Sequence, residues 1–107
     1  MNTKMPHELI FVSPMLGTTD YITAEGSDTI KSITSRLLWK YSEEVVDLLS
    51  TTYQNVRINP TINLVTVKVY RIDRGRKKPV GLRETIDDII EMKTNKLYWI
   101  PEPIGGR

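Results

Sequence analysis

The residues of this chain that can take part in chemistry lie in residues 97–107, LYWIPEPIGGR. Gly105 and Gly106 carry no Cβ, so their backbone can approach a reacting group closely. Pro101 and Pro103 are expected to hold the approach in an extended, polyproline-like form, which lowers the ordering cost of binding in a groove. The stretch predicts a tail that is stiff along its length and bare at its tip, with Arg107 as an added charged residue.

The other residue types supply no catalytic centre. The chain has no cysteine, which excludes disulfides, thiolate metal sites and a thiol nucleophile. Its one histidine, His7, has no serine or cysteine partner in the pattern, and no pair of carboxylates stands in a convincing frame. We therefore expect no enzyme activity, no metal and no cofactor.

Composition narrows the class of protein further. A length of 107 residues fits one domain, and 39% hydrophobic and 26% charged residues are ordinary for a globular chain. A net charge of +2 is too small to indicate nucleic-acid binding. No apolar run has the length of a membrane span, and the first residues lack the apolar segment of a secretory signal. We expect a cytoplasmic protein that binds neither nucleic acid nor membranes.

The first half of the chain predicts a hairpin followed by helices. Residues 9–12 and 21–24 favour strands on either side of a glycine-containing turn. Ser27 or Asp28 is expected to cap a helix, whose apolar residues recur at helical spacing. Residues 42–44, Ser-Glu-Glu, predict a second helix start with acidic residues in its first turn, or a bent extension of the first helix. The apolar stripe of the first helix comprises Ile30, Ile33, Leu37 and Tyr41.

The second half predicts two strands separated by a loop and a short helix. Residues 62–72 form the longest strand candidate because apolar and polar residues alternate over their second half. Residues 73–81, DRGRKKPVG, are expected to be a solvated basic loop. Residues 85–92 favour a short helix, and a last strand at 97–100 is expected to end at Pro101, since proline cannot donate to a ladder.

This order of elements predicts an α+β domain in which one main helix covers one face of a mixed sheet of four to five strands, a β-grasp arrangement. A doubly wound sheet is the competing arrangement, but the chain is short for it and lacks a second full crossover. We expect a flexible leader at 1–8, the domain at 9–100 and an extended tail at 101–107. Trp39 and Trp99 are expected to be core or half-buried aromatics. The residues expected in the core are Ile10, Val12, Ile22, Ile30, Ile33, Leu37, Val67, Val69 and Leu97.

Two blocks of the sequence resemble ubiquitin and its relatives. The first block comprises residues 10–12, Gly17, Thr19, Glu25, residues 27–30, Ile33 and Leu37. The second block comprises residues 85–88, Lys93, Leu97 and the Gly105-Gly106 pair. The distance from Leu97 to the two glycines is the same as in ubiquitin. The resemblance covers about half of the chain and implies the β-grasp fold.

Other parts of the chain depart from that family. The middle segment between the main helix and Thr85 is longer than in ubiquitin. Glu102 stands where the family has arginine, and Pro101 and Pro103 are foreign to the family's tail. These departures favour a divergent relative, from a bacterial or viral conjugation system with dedicated enzymes.

The resemblance implies a protein modifier. In that family an activating enzyme adenylates the terminal glycine carboxylate with ATP and passes it to a cysteine thioester, and a lysine amine of a target protein then takes it as an amide. Gly106, preceded by Gly105, would be the conjugation site. A protease would first cut between Gly106 and Arg107, since adenylation needs a free carboxylate. The expected partners are an activating enzyme, a conjugating enzyme, a deconjugating protease and target proteins reached through lysine, with the modifier itself a monomer.

The resemblance also implies a partner surface. Met15 and Ile100 stand at two of the three positions of the family's exposed apolar patch, and burial in the core explains either residue nearly as well. Glu102 is expected to alter how partners recognise the tail. Lys93 matches a lysine that ubiquitin uses to build chains.

Two alternatives to a protein modifier stay open. A sulfur carrier of the same fold would bear a thiocarboxylate at its terminal glycine, but such carriers are shorter and generally end directly in the two glycines. Arg107 and the enlarged middle therefore count against it. A non-conjugated ubiquitin-like interaction domain would not use its tail chemically.

Overall fold

The computed structural model of the chain describes residues 5–52 and 65–103. Within these residues, strands and helices follow one another in an α+β order. The elements are β1 (His7–Ser13), β2 (Thr18–Ala24), α1 (Ile30–Lys40), α2 (Ser42–Thr52), β3 (Val65–Asp73), β4 (Arg76–Val80), α3 (Ile86–Glu91) and β5 (Lys96–Pro103).

The strands form one mixed sheet in the order β2-β1-β5-β3-β4. The central pair, β1 and β5, is parallel, whereas the β1–β2, β3–β4 and β3–β5 pairs are antiparallel. Two hairpins therefore lie side by side, and the last strand of the chain fits between them. The apolar side of α1 packs on one face of this sheet. The arrangement is of the β-grasp type, as predicted.

The core lies between α1 and the sheet. Six of the residues expected to be buried are buried, and Ile22 is partly buried against the same cluster. The six are Ile30, Ile33, Leu37, Val67, Val69 and Leu97. Trp99 is also fully buried, as expected of a core aromatic, whereas Trp39 is exposed.

The face that β1 presents to the core differs from the prediction. Ile10 and Val12 were expected to be buried, but they lie half-buried on the outer face of the sheet, and Leu9 and Phe11 face the core. Since residues 9–12 are all apolar, their alternation indicates no face, and a shift of one residue exchanges the two sets. β1 also begins at His7 rather than at residue 9.

The start of α1 also differs by one or two residues from the prediction. The N-cap is Thr29, whose side-chain oxygen accepts a hydrogen bond from the Ser32 amide at 3.1 Å. The Asp28 carboxylate instead accepts from the Glu25 amide at 3.0 Å and closes the preceding turn. The second helix start at Ser42 is confirmed, and the single residue Tyr41 separates α2 from α1.

The predicted basic loop is wrong, because most of its residues form the edge strand β4. Arg74 and Gly75 adopt positive φ angles of 52° and 78°, which make a tight hairpin turn. The alternating strand pattern was hidden by consecutive cations and a proline. Pro79 and the charges are tolerated because an edge strand lies beside solvent rather than between two partners.

A buried carboxylate ties α1 to the edge strand β2. Asp20 points into the domain and is only 7% exposed. It accepts hydrogen bonds from Lys40 Nζ at 2.5 Å and from Tyr41 Oη at 2.9 Å. Because a buried carboxylate without partners would be very unfavourable, this contact fixes the end of α1 over β2. The hydrogen bond and charge of Asp20 raise the pKa of Lys40 above its ordinary 10.5.

This contact predicts a stability that depends on alkaline pH. A lysine whose pKa is raised by folding contributes its full stabilisation below pH 10.5 and loses it as pH rises through the folded-state pKa. We expect wild type to be more stable than Lys40→Met near neutral pH, and the difference to shrink above pH 10.5. Urea unfolding of both proteins, from neutral pH to above pH 10.5, measures this difference in unfolding free energy.

The matched control is Lys31→Met, because Lys31 is an exposed lysine of the same helix that forms no ion pair with the other described residues. Its difference from wild type should stay small at every pH. A difference between wild type and Lys40→Met that does not change with pH would contradict the role given to Asp20.

Candidate partner-binding face and C-terminal strand

The strand that precedes the two glycines is longer than the sequence indicates. It was expected to end at Ile100, but β5 runs to Pro103. Pro101 lies opposite Val67 of β3, and Pro103 lies opposite Val65. The first part of the expected tail is therefore paired within the sheet.

The two prolines are accommodated because of the direction of their nitrogens. The Ile10 amide of β1 donates to the carbonyl of Asn95, the residue just before β5, at 2.7 Å. Because backbone groups alternate in direction from one residue to the next along a strand, the odd-numbered residues of β5 direct theirs towards β1. The parallel pairing ends at Val12 and Tyr98, and β1 itself ends at Ser13. Pro101 and Pro103 thus direct their nitrogens past the end of β1, where no ladder donor is needed, while even-numbered residues continue the pairing with β3.

Residues 104–107 lie outside the described residues, and the predictions for Gly105, Gly106 and Arg107 fall on them. The described structure ends at Pro103, two residues before Gly105. Pairing with β3 up to this point means that the strand leading to the glycines is held by the fold itself.

A row of side chains crosses the outer face of the sheet, opposite α1. The row has one side chain from each of four neighbouring strands, each paired with the next: Val12, Tyr98, Tyr70 and Pro79. The rings of Tyr70 and Tyr98 stack with centroids 5.1 Å apart and an angle of 10° between their planes. Ammonium groups lie over both rings: Lys77 Nζ is 5.0 Å from the Tyr70 centroid and Lys96 Nζ is 5.7 Å from that of Tyr98. The outer face is therefore aromatic at its centre and basic beside it.

A groove of about 500 Å³ opens next to this row. Ile100, Tyr70, Pro79 and Leu82 give it a mainly apolar lining, with Lys68 and Lys77 among its polar residues. Such a lining, open to solvent and rimmed by cations, suits contact with another protein.

The structure places the predicted partner residues differently from one another. Ile100 is half-buried and lines the groove. Glu102 lies two residues along the same face of β5, with its carboxylate 3.6 Å from Lys68 Nζ. Met15 is 39% exposed in the β1–β2 turn and does not line the groove. The parallel β1–β5 register brings that turn to the same end of the sheet as Ile100.

Lys93 lies apart from this face, in the turn that follows α3. It is exposed and has a φ of 59°, and its amide donates to the Ile90 carbonyl at 2.9 Å. The Lys93 ammonium is therefore accessible from solvent, which a conjugation acceptor requires.

Sequence reasoning missed Tyr70, Tyr98 and Lys77 as members of this face. The alternation of residues 66–70 carried a signal for Tyr70, but only strand order shows that Tyr70 and Tyr98 are direct neighbours. Among residues 5–52 and 65–103, no group of three or more histidine, aspartate or glutamate side chains could hold a metal ion. No helix there is long and apolar enough to span a membrane.

The fold and this face define a β-grasp protein with an aromatic outer sheet surface. The sequence matches no protein-family model and no curated protein.

The stacked tyrosines predict a measurable coupling across β3 and β5. We expect Tyr70→Leu and Tyr98→Leu to show a coupling of about 0.5–1.5 kcal/mol in a double-mutant cycle of unfolding free energy, since the stacking adds to simple burial. Urea unfolding of the four proteins measures it. A control cycle of Tyr70→Leu with Tyr21→Leu, an exposed tyrosine of β2, should give a coupling near zero. Equal couplings in the two cycles would contradict the stack.

Proposed function

We propose that this chain is a ubiquitin-like protein modifier that is conjugated through Gly106. A protease removes Arg107, an activating enzyme adenylates the exposed carboxylate with ATP, and a conjugating enzyme transfers it to a lysine of a target protein. In this scheme the chain is the substrate of enzymes and does no catalysis itself.

The observation that supports the proposal most strongly is the position of β5. This strand is held between β1 and β3 in a β-grasp sheet and continues past the end of β1 to Pro103. Gly105 and Gly106 follow directly after Ile104. A strand fixed by pairing within the sheet supplies a rigid base from which two residues without side chains can enter an enzyme channel.

The outer sheet face is the surface that we assign to the enzymes of this pathway. Its groove lies beside the part of β5 that leads to the glycines, so an enzyme that holds the face also has the tail within reach. Lys68, which lines this groove, also forms the ion pair with Glu102 of β5.

The decisive experiment follows conjugation in the native cell. We expect the N-terminally tagged chain to form conjugates that resist boiling and reduction, and a chain stopped after Gly106 to form them as well. Gly106→Ala should form none. Trypsin cuts after Lys96, so each modified target lysine should carry residues 97–106, LYWIPEPIGG, which mass spectrometry identifies.

A purified activating enzyme tests the precursor step. With ATP, only the chain stopped after Gly106 should form a thioester, because the full chain has no free carboxylate on that glycine. Charging of a chain that retains Arg107 by intact mass would contradict the precursor step. A sulfur atom added at Gly106 would indicate a sulfur carrier, and a functional protein without residues 105–107 would indicate a non-conjugated interaction domain.

The partner surface has its own prediction. We expect Met15→Ala combined with Ile100→Ala to reduce conjugate formation while the melting transition remains cooperative and close to that of wild type, because neither side chain is fully buried. Tyr21→Ala, on the same sheet face at the β2 edge, is the matched control and should conjugate normally. A large loss of stability in the double variant would place Met15 and Ile100 in the core instead.

A further inference from the structure

The bend between α1 and α2 carries a second groove, on the outside of the domain. Val45 and Leu49 of α2 are buried against the core, so the opposite side of the bend is free to face outwards. A cavity of about 470 Å³ lies there. Its lining comprises Trp39, Ser42, Glu43, Val46 and Asp47.

Trp39 is the main apolar side chain of this groove. It was expected to be at least half-buried, but it is 65% exposed. The neighbouring Val46 is half-buried and extends the apolar surface along α2. An exposed tryptophan beside an aliphatic side chain is costly in water, and tryptophan is among the residues that contribute most to binding at protein interfaces.

The two charged residues in the described lining of the groove are both acidic. Glu43 and Asp47 are one helical turn apart, a spacing at which like charges repel. The positive end of the helix dipole accounts for an acidic residue in the first turn, such as Glu43, but its effect falls off before Asp47. Within residues 5–52 and 65–103, neither carboxylate has a cation within 4.0 Å.

Two cations in the second half of α1 lie beside β2. Lys40 Nζ is 2.5 Å from the Asp20 carboxylate. Arg36 lines a separate cavity of about 190 Å³, together with Asp20 and Lys40. Lys40 and Arg36 therefore lie on the β2 side of α1, and the described lining of the groove at Trp39 contains two carboxylates and no cation.

We propose that this groove binds a basic segment of a partner protein. A lysine or arginine side chain lies over the Trp39 ring, with its cationic group between the carboxylates of Glu43 and Asp47, and an adjacent apolar side chain contacts Val46. The negative charge selects against nucleic acid and anionic membrane surfaces. This interaction does not depend on conjugation, because all described residues that line the groove belong to α1 or α2.

The chain offers a direct spectroscopic test, because it contains two tryptophans and Trp99 is fully buried. The probe is a short acetylated and amidated peptide containing three lysines and one leucine, titrated into the ¹⁵N-labelled full chain. We expect the Trp39 indole N–H signal to shift and saturate while that of Trp99 stays in place. The same peptide with glutamate for lysine should cause no shift.

Matched variants separate the aromatic and charged contributions. Trp39→Leu should weaken binding about fivefold, which corresponds to about 1 kcal/mol. Glu43→Gln combined with Asp47→Asn should weaken it by a similar factor and remove most of its salt dependence. Glu91→Gln, an exposed carboxylate on α3, should leave the affinity unchanged. For the variants that lack Trp39, backbone amide signals of α2 report binding.

Three results would overturn the proposal. They are a Trp39 signal that does not move at millimolar peptide, equal shifts with the lysine and glutamate peptides, and unchanged affinity in the Glu43 and Asp47 double variant. A Trp39 signal that shifts with protein concentration in the absence of peptide would assign the groove to a second copy of the chain instead, which also contradicts a basic partner segment.

Discussion

The pairing of β5 with both β1 and β3 is the constraint on which the rest of the structure depends. β5 is the last strand in the sequence, yet it occupies the centre of the sheet. Without it, the β1–β2 and β3–β4 hairpins have no common partner, and the core between α1 and the sheet loses Leu97 and Trp99, both fully buried. The strand adjoining the glycines is thus also the strand that completes the domain.

The central position of β5 explains the proline-rich end of that strand. Two prolines in a central strand would ordinarily break a ladder. Here β1 is shorter than β5 at this end, so no described strand pairs with one edge of residues 101–103, and both prolines direct their nitrogens to that edge. The Pro101 side chain is also fully buried, so this proline packs inside the domain although its nitrogen makes no ladder hydrogen bond. The stiffness first attributed to an isolated polyproline-like tail is a property of the sheet.

The two grooves differ in the sign of the charges beside their aromatic side chains. The outer sheet face is aromatic with lysines over its tyrosines, whereas the outside of the α1–α2 bend is aromatic with carboxylates beside its tryptophan. Asp20 contributes to this difference, because its hydrogen bond holds the Lys40 ammonium beside β2. One buried carboxylate therefore anchors the end of α1 and also holds a cation of that helix on its β2 side.

The sequence by itself determined the types of most elements, the α+β class and the helix face that packs on the sheet, because periodic apolar residues such as Ile30, Ile33 and Leu37 encode burial locally. It did not determine the inward face of β1, where four consecutive apolar residues hide the alternation, or the strand β4, whose cations and proline resemble a loop. It offered Ile100 as a partner-surface candidate, with burial in the core as the alternative, but it did not indicate its neighbours Tyr70 and Lys77, which come from other strands. Only the tertiary structure decided these points, since strand order and register bring together residues distant in sequence, and the end of β1 decides whether a proline in β5 interrupts a ladder.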